Sequence, residues 1–212
     1  MTASLLPRHP GLFSTTRLRQ LATDATAATV RDWLLLAAFG VLAACSSTFL
    51  DLGIKRIPGH AILRVVFPMA LGLALVPRRG AGCVMGGTSA ITAACFQLAG
   101  FRGEAVGLGA FTSLTATGPL LDWTLRRANT GWRQYVAFSL AGLASNLLAL
   151  GVRGGAKAIG WEAAGRRPLV EWLSQAVGTY ILCGLIAGLI SGIVLFSFRS
   201  RRDEILPQER PE

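Results

Sequence analysis

This chain of 212 residues is 52% hydrophobic and 15% charged, with a formal net charge of +10 and a mean hydropathy of +0.50. That balance is hard to place in a soluble domain of this size, and the segments between apolar stretches are too short to fold alone, which excludes a separate extramembrane catalytic domain. The positive charge forms no separable basic module; arginines alternate with apolar segments, which argues against a nucleic-acid partner and for a topology signal.

Residues 1–32 read as a polar tail. Arg8, Arg17 and Arg19 stand among Ser, Thr and Ala, with acids scarce before Asp24. That composition is shared by organellar presequences and by cytoplasmic tails bearing a short interfacial helix. In such a helix Leu18, Leu21 and Ala25 would face lipid while the arginines meet anionic headgroups. The segment lacks the apolar core of a secretory signal.

Six apolar stretches follow, at 33–50, 59–76, 81–99, 104–125, 132–151 and 169–198. Each approaches the roughly 20 residues that a helix needs to cross about 30 Å of hydrocarbon. They are too long for the alternating strands of a barrel, and an open sheet would leave backbone groups unsatisfied in lipid. The expected fold is therefore all-α: a polytopic membrane protein with a six-transmembrane-helix bundle over 33–198. A longest loop at 153–168 and a charged tail at 199–212, disordered beyond its first few residues, complete the expected layout.

Arg31, Arg78, Arg79, Arg126, Arg127, Arg133 and the arginines of both tails share one side of this layout. Lys55, Arg56, Arg102, Arg153, Lys157, Arg166 and Arg167 share the other, smaller set. The positive-inside rule then places both termini in the cytoplasm, as an even number of spans requires.

The four cysteines (Cys45, Cys83, Cys95, Cys183) all fall inside predicted helices without a CxxC pair, and read as small core residues. Of the two histidines, His9 lies in the tail, so no metal site is expected. Small residues recur every four positions: Gly40, Ala44 and Thr48; Gly82, Gly86, Ala90 and Ala94; Ala137, Ala141 and Ser145; Gly184, Gly188 and Gly192. Such ladders let helices approach closely, either within the bundle or against a second membrane subunit.

Polar groups inside the spans collect near the outer end. They are Ser46, Ser47 and Thr48; His60 and Arg64; Thr92 and Gln97; Glu104; Asn146; and Trp172, Gln175 and Tyr180. Converging, they would line an outward pocket for a small molecule. Of these, His60, Arg64, Gln97, Glu104, Asn146, Trp172 and Gln175 are the candidate ligand-binding residues. Each has a structural alternative. Arg64 lies near enough to the interface to snorkel, Glu104 suits a helix N-terminus, Trp161 and Trp172 suit an aromatic belt, and Gln97 and Asn146 can bond a neighbouring helix. Asp122 reads as an i,i+4 partner of Arg126.

From Gly59 to Gly87 the chain reads GHAILRVVFPMALGLALVPRRGAGCVMGG: a proline-containing helix, a basic Pro-Arg-Arg-Gly turn and a glycine-rich helix. This resembles the substrate-binding S components of energy-coupling factor transporters, as do the chain's size, its six predicted helices and the small residues of its first helix. The resemblance implies uptake of a vitamin or precursor bound near the outer face of a bacterial cytoplasmic membrane. It also implies docking on a membrane coupling subunit powered by two cytoplasmic ATPases. The family's Ala-x-x-x-Ala docking motif corresponds here to Gly40-x-x-x-Ala44, and Gly184, Gly188 and Gly192 offer a second small face. The metal-carrying branch displays an N-terminal histidine in a setting that His9-Pro10-Gly11 does not reproduce, so an organic ligand is preferred. With no GxxxxGK[ST] loop, the chain holds no cofactor and any ATP is used by partners. Two other classes compete. One is a structural or assembly subunit using the ladders as permanent interfaces; the other is a small membrane enzyme, for which only His60, Arg64 and Glu104 come near a reactive set.

Overall fold

The computed structural model describes residues 29–50, 59–76, 78–101, 107–126, 132–161 and 169–205, the last with side chains to 194. They form six helices: α1 Val30–Phe49, α2 Ala61–Leu75, α3 Ala81–Leu98, α4 Leu108–Leu125, α5 Trp132–Ala158 and α6 Leu169–Ile205. The all-α expectation holds, with three differences at boundaries. α5 runs on through Arg153 and Lys157, which sequence patterning places in a loop; α6 continues into the charged tail; and α4 starts at Leu108. Glu104 and the segment 1–28, with its expected interfacial helix, lie outside the described residues.

Among the described residues, four helices are long and apolar enough to cross a membrane: Val30–Phe49, Ala81–Leu98, Trp132–Ala158 and Leu169–Val194. The other two fall short of the expected six spans for different reasons. α2 has 15 residues, roughly 22 Å of helix against about 30 Å of hydrocarbon. α4 has 18 residues but carries Thr112, Ser113, Thr115, Thr117 and Asp122.

The helices close into a ring in the order α1, α3, α4, α5, α6, α2, and α2 also reaches across to α3, α4 and α5. Its composition explains that central place. Val65, Val66, Met69, Ala70 and Leu73 are all enclosed, so apolar side chains point nearly all round it. The main core gathers Leu36, Met69, Met85, Leu114, Leu121 and Phe138. The outer surface stays apolar, with Val41, Ile91, Leu140, Leu148, Leu182 and Ile190 exposed, as a lipid-facing surface requires.

α1 begins with a capping box, in which the Thr29 hydroxyl accepts from the Asp32 N–H (3.3 Å) and the Asp32 carboxylate accepts from the Thr29 N–H (3.2 Å). Asp32 also pairs with Arg78 at 3.0 Å, tying this end of α1 to the turn before α3. In that turn Gly80 has φ +82°, which favours glycine. Pro68 within α2 has no N–H, so the Arg64 carbonyl one turn earlier loses its helical donor. The Ser46 hydroxyl of α1 supplies the missing bond at 2.7 Å.

Close backbone approach accounts for two of the helix pairs. A Cβ at Gly82 would overlap the Gly118 carbonyl and one at Gly118 would overlap Gly82, so α3 and α4 meet backbone to backbone. α5 and α6 meet likewise where Gly142 faces Gly184 and Gly188. Hydroxyls bridge what remains: Ser89 donates to the Leu114 carbonyl (3.1 Å), and Thr117 and Ser145 bond at 2.7 Å.

Candidate functional site

The polar groups at the α1–α2 end build a layer around two helix termini. Arg64 is 4% exposed and does not snorkel; its head points at the carbonyl end of α1. One Nη donates to the carbonyls of Leu50 (2.6 Å) and Ser47 (3.3 Å), and the other lies 2.6 Å from Nε2 of buried His60. Because a guanidinium only donates, Nε2 is the acceptor of that bond. A cation at the negative end of the α1 dipole is favourable, and those last carbonyls have no intrahelical donors.

Asn146 extends the layer from α5. Its amide nitrogen donates to the Tyr180 carbonyl (2.7 Å) on α6 and to the Gly59 carbonyl (3.2 Å) in the turn that opens α2. Gly59 has φ +84°, and a Cβ there would lie 2.9 Å from Cγ of Tyr180 and 3.0 Å from Nδ2 of Asn146. Glycine is thus required twice, by backbone conformation and by space. The Tyr180 ring then reaches across to α4, where its hydroxyl lies 3.7 Å from the Cβ position of Gly109. The Arg153 Cδ lies 3.6 Å from the same point. Arg153 and Lys157 both stand over the Trp172 ring, at 5.9 and 4.5 Å from its centroid.

No family model, curated protein or solved structure matches this chain. The arrangement of its own residues therefore carries the functional argument.

Of the expected ligand-binding set, His60, Arg64 and Asn146 come together, and Trp172 joins them through Tyr180 and Arg153. Gln97 and Gln175 are exposed on the outside of α3 and α6, and Glu104 lies outside the described residues. Sequence reasoning missed Gly109, Arg153 and Lys157. Treating 153–168 as a loop hid the i,i+4 spacing that puts both cations on one helical face toward α6.

The other end has its own buried charge. Asp122 is 2% exposed, and its two carboxylate oxygens accept from the N–H groups of Gly82 (3.1 Å) and Cys83 (2.8 Å). It caps α3 instead of serving as an i,i+4 partner of Arg126. The signal lay in Gly80, an N-cap residue with no side chain to cap its own helix. Nearby in sequence, Gln134 is fully enclosed, and neither polar atom of its amide has a partner among the described residues.

The faces expected to dock on a coupling subunit are occupied within the chain. Gly40 packs on Thr88 and Met85 of α3, Ala44 is fully enclosed, Gly184 and Gly188 press on α5, and Gly192 faces Tyr135 and Phe138. A ladder defines a face but not its occupant, and here the neighbouring helices fill it. The cysteines also differ from expectation: Cys83 and Cys95 are exposed, while Cys45 and Cys183 are half-buried. Among the described residues no group of three or more His, Cys, Asp or Glu could hold a metal.

Proposed function

We propose that this chain is a substrate-binding membrane subunit of an ATP-driven uptake transporter for an organic micronutrient, with all six helices within a bacterial cytoplasmic membrane. Both termini are cytoplasmic in this reading, which places the layer of Arg64, Asn146 and Tyr180 at the outer face. The observation that carries it is the convergence of polar and aromatic groups from α2, α5 and α6 at one end of an otherwise apolar bundle. Polar groups are costly in hydrocarbon and concentrate where they bind or conduct. α2 and α4, short or polar, are tolerated because their neighbours shield them. Docking on the coupling subunit uses the exposed outer surface, since the small-residue ladders face inward.

One observation favours a second reading, a structural or assembly subunit. Arg64 and Asn146 donate hydrogen bonds to backbone carbonyls, as tie-points between helices do. Native mass spectrometry of the protein purified from its own membranes separates the two. A retained small organic molecule, with co-purifying coupling and ATPase subunits, is the expected result. Recovery of neither overturns the transport reading.

A further inference from the structure

His60 and Arg64 meet head to head within the polar layer. His60 stands at the N-cap of α2 and Arg64 one turn later, so the helix itself brings the two side chains together. Both are buried, and Nε2 of the ring lies 2.6 Å from one Nη of the guanidinium. A guanidinium has no acceptor to offer, so the contact is a hydrogen bond only while Nε2 is unprotonated and the ring carries its single proton on Nδ1. Histidine gains its second proton between about pH 5 and 8. Both ring nitrogens are then donors, and the bond becomes a close contact of two enclosed cations.

What Arg64 holds gives that change a consequence. Its other Nη donates to the carbonyls of Leu50 and Ser47, so the guanidinium links the end of α1 to the start of α2. A second acceptor is at hand, because the Ser47 hydroxyl is fully enclosed and has no partner among the described residues. Around the pair, α1 presents carbonyls and serine hydroxyls, α5 the neutral amide of Asn146 and α6 the Tyr180 ring beside Gly59. Residues 92–101 after and within α3, and 108–117 of α4, carry no charged side chain. The other titratable groups toward this end are Glu171 of α6, Arg153 and Lys157 of α5, and the thiols of Cys45, Cys95 and Cys183. Those of segments 51–58, 102–106 and 162–168, Asp51, Glu104 and Glu162 among them, lie outside the described residues.

We infer that His60 and Arg64 form a proton-sensitive latch. The neutral ring holds the guanidinium on the end of α1; protonation of the ring drives the guanidinium off it and loosens the junction of α1 with α2. The latch stands independently of the transport reading, because every contact it uses lies within the chain.

The test uses the full chain in detergent, with thermal unfolding midpoints read at about pH 8 and about pH 5.5. A bond that only the neutral ring makes stabilises the fold above histidine's titration range and is lost as pH falls through it. The wild-type midpoint is therefore expected to drop by several degrees at the lower pH. His60→Gln carries an amide oxygen at a similar reach, accepts from Arg64 at both values and is expected to respond little. His9→Gln and Asp51→Asn are expected to drop as wild type does. Equal wild-type midpoints at the two values overturn the proposal. So does a drop in His60→Gln as large as that of wild type, or one abolished by His9→Gln or Asp51→Asn. Nitrogen NMR of the His9→Gln protein, whose one remaining histidine is His60, reads the ring directly. At about pH 8 the proton is expected on Nδ1, and a proton on Nε2 overturns the latch whether or not His60→Gln folds.

Discussion

Arg64 and Asp122 are enclosed charges of opposite sign, and each is placed at the helix end that its charge suits. Arg64 meets the carbonyl end of α1, and Asp122 meets the amide end of α3. Removing one partner strands the other, and a stranded buried group costs more than the bond contributed. Asp122→Ala takes the acceptor from the enclosed Gly82 N–H and the half-enclosed Cys83 N–H and is expected to cost about 2 kcal/mol, read as a lower thermal unfolding midpoint in detergent. Asn146 gives a sharper contrast. Asn146→Ala loses two donated bonds, whereas Asn146→Asp turns a carboxylate toward two carbonyl oxygens. The second is expected to destabilise more, by a further ~1–2 kcal/mol, in the same measurement.

At the scale of elements, two compensations recur: a helix that lacks something is completed by its neighbour. α2 lacks an N–H at Pro68 and receives a hydroxyl from Ser46 of α1; α3 lacks an N-cap side chain and receives Asp122 from α4. Glycine matters where backbones touch. Gly118→Ala is expected to push α3 from α4 and lower the unfolding midpoint by several degrees, because its Cβ would overlap Gly82. Gly87, one helical face away, has nothing within 4 Å of its Cβ position. Gly87→Ala is accordingly expected to leave the midpoint unchanged or raise it slightly, by helix propensity. Gly40→Leu would separate docking from core packing only if Gly40 faced outward. It faces Thr88 and Met85, so loss of the fold is expected instead.

At the scale of the whole molecule, α2 and α4 are the helices least able to enter a membrane alone; each is flanked by two neighbours in the ring, and α2 also packs on the helices across it. In a translocon insertion assay with glycosylation reporters, α4 by itself is expected to insert poorly. The segment from α3 to α5 is expected to bring it in. Efficient insertion of isolated α4 would show that its hydroxyls and Asp122 need no neighbours.

Helix positions and membrane character were legible from residues alone, because both depend on local quantities: the length of apolar runs, helix periodicity and turn residues such as Gly59 and Gly80. α2, α3 and the start of α5 lie within a residue or two of their expected bounds for that reason. The outer polar layer was legible only in part. Arg64, His60 and Asn146 were recognisable as polar groups in apolar surroundings, but their partners are carbonyls that every residue possesses, so sequence marks no particular one. Gly109, Arg153 and the α6 residues Trp172 and Tyr180 lie on three different helices and meet because α4, α5 and α6 pack together. Periodicity likewise defined the small-residue faces, while tertiary packing decided that they point inward. The sequence by itself determined six helices and their apolar nature; only the tertiary structure decided which faces meet, because a helix face is a local property and its occupant is not.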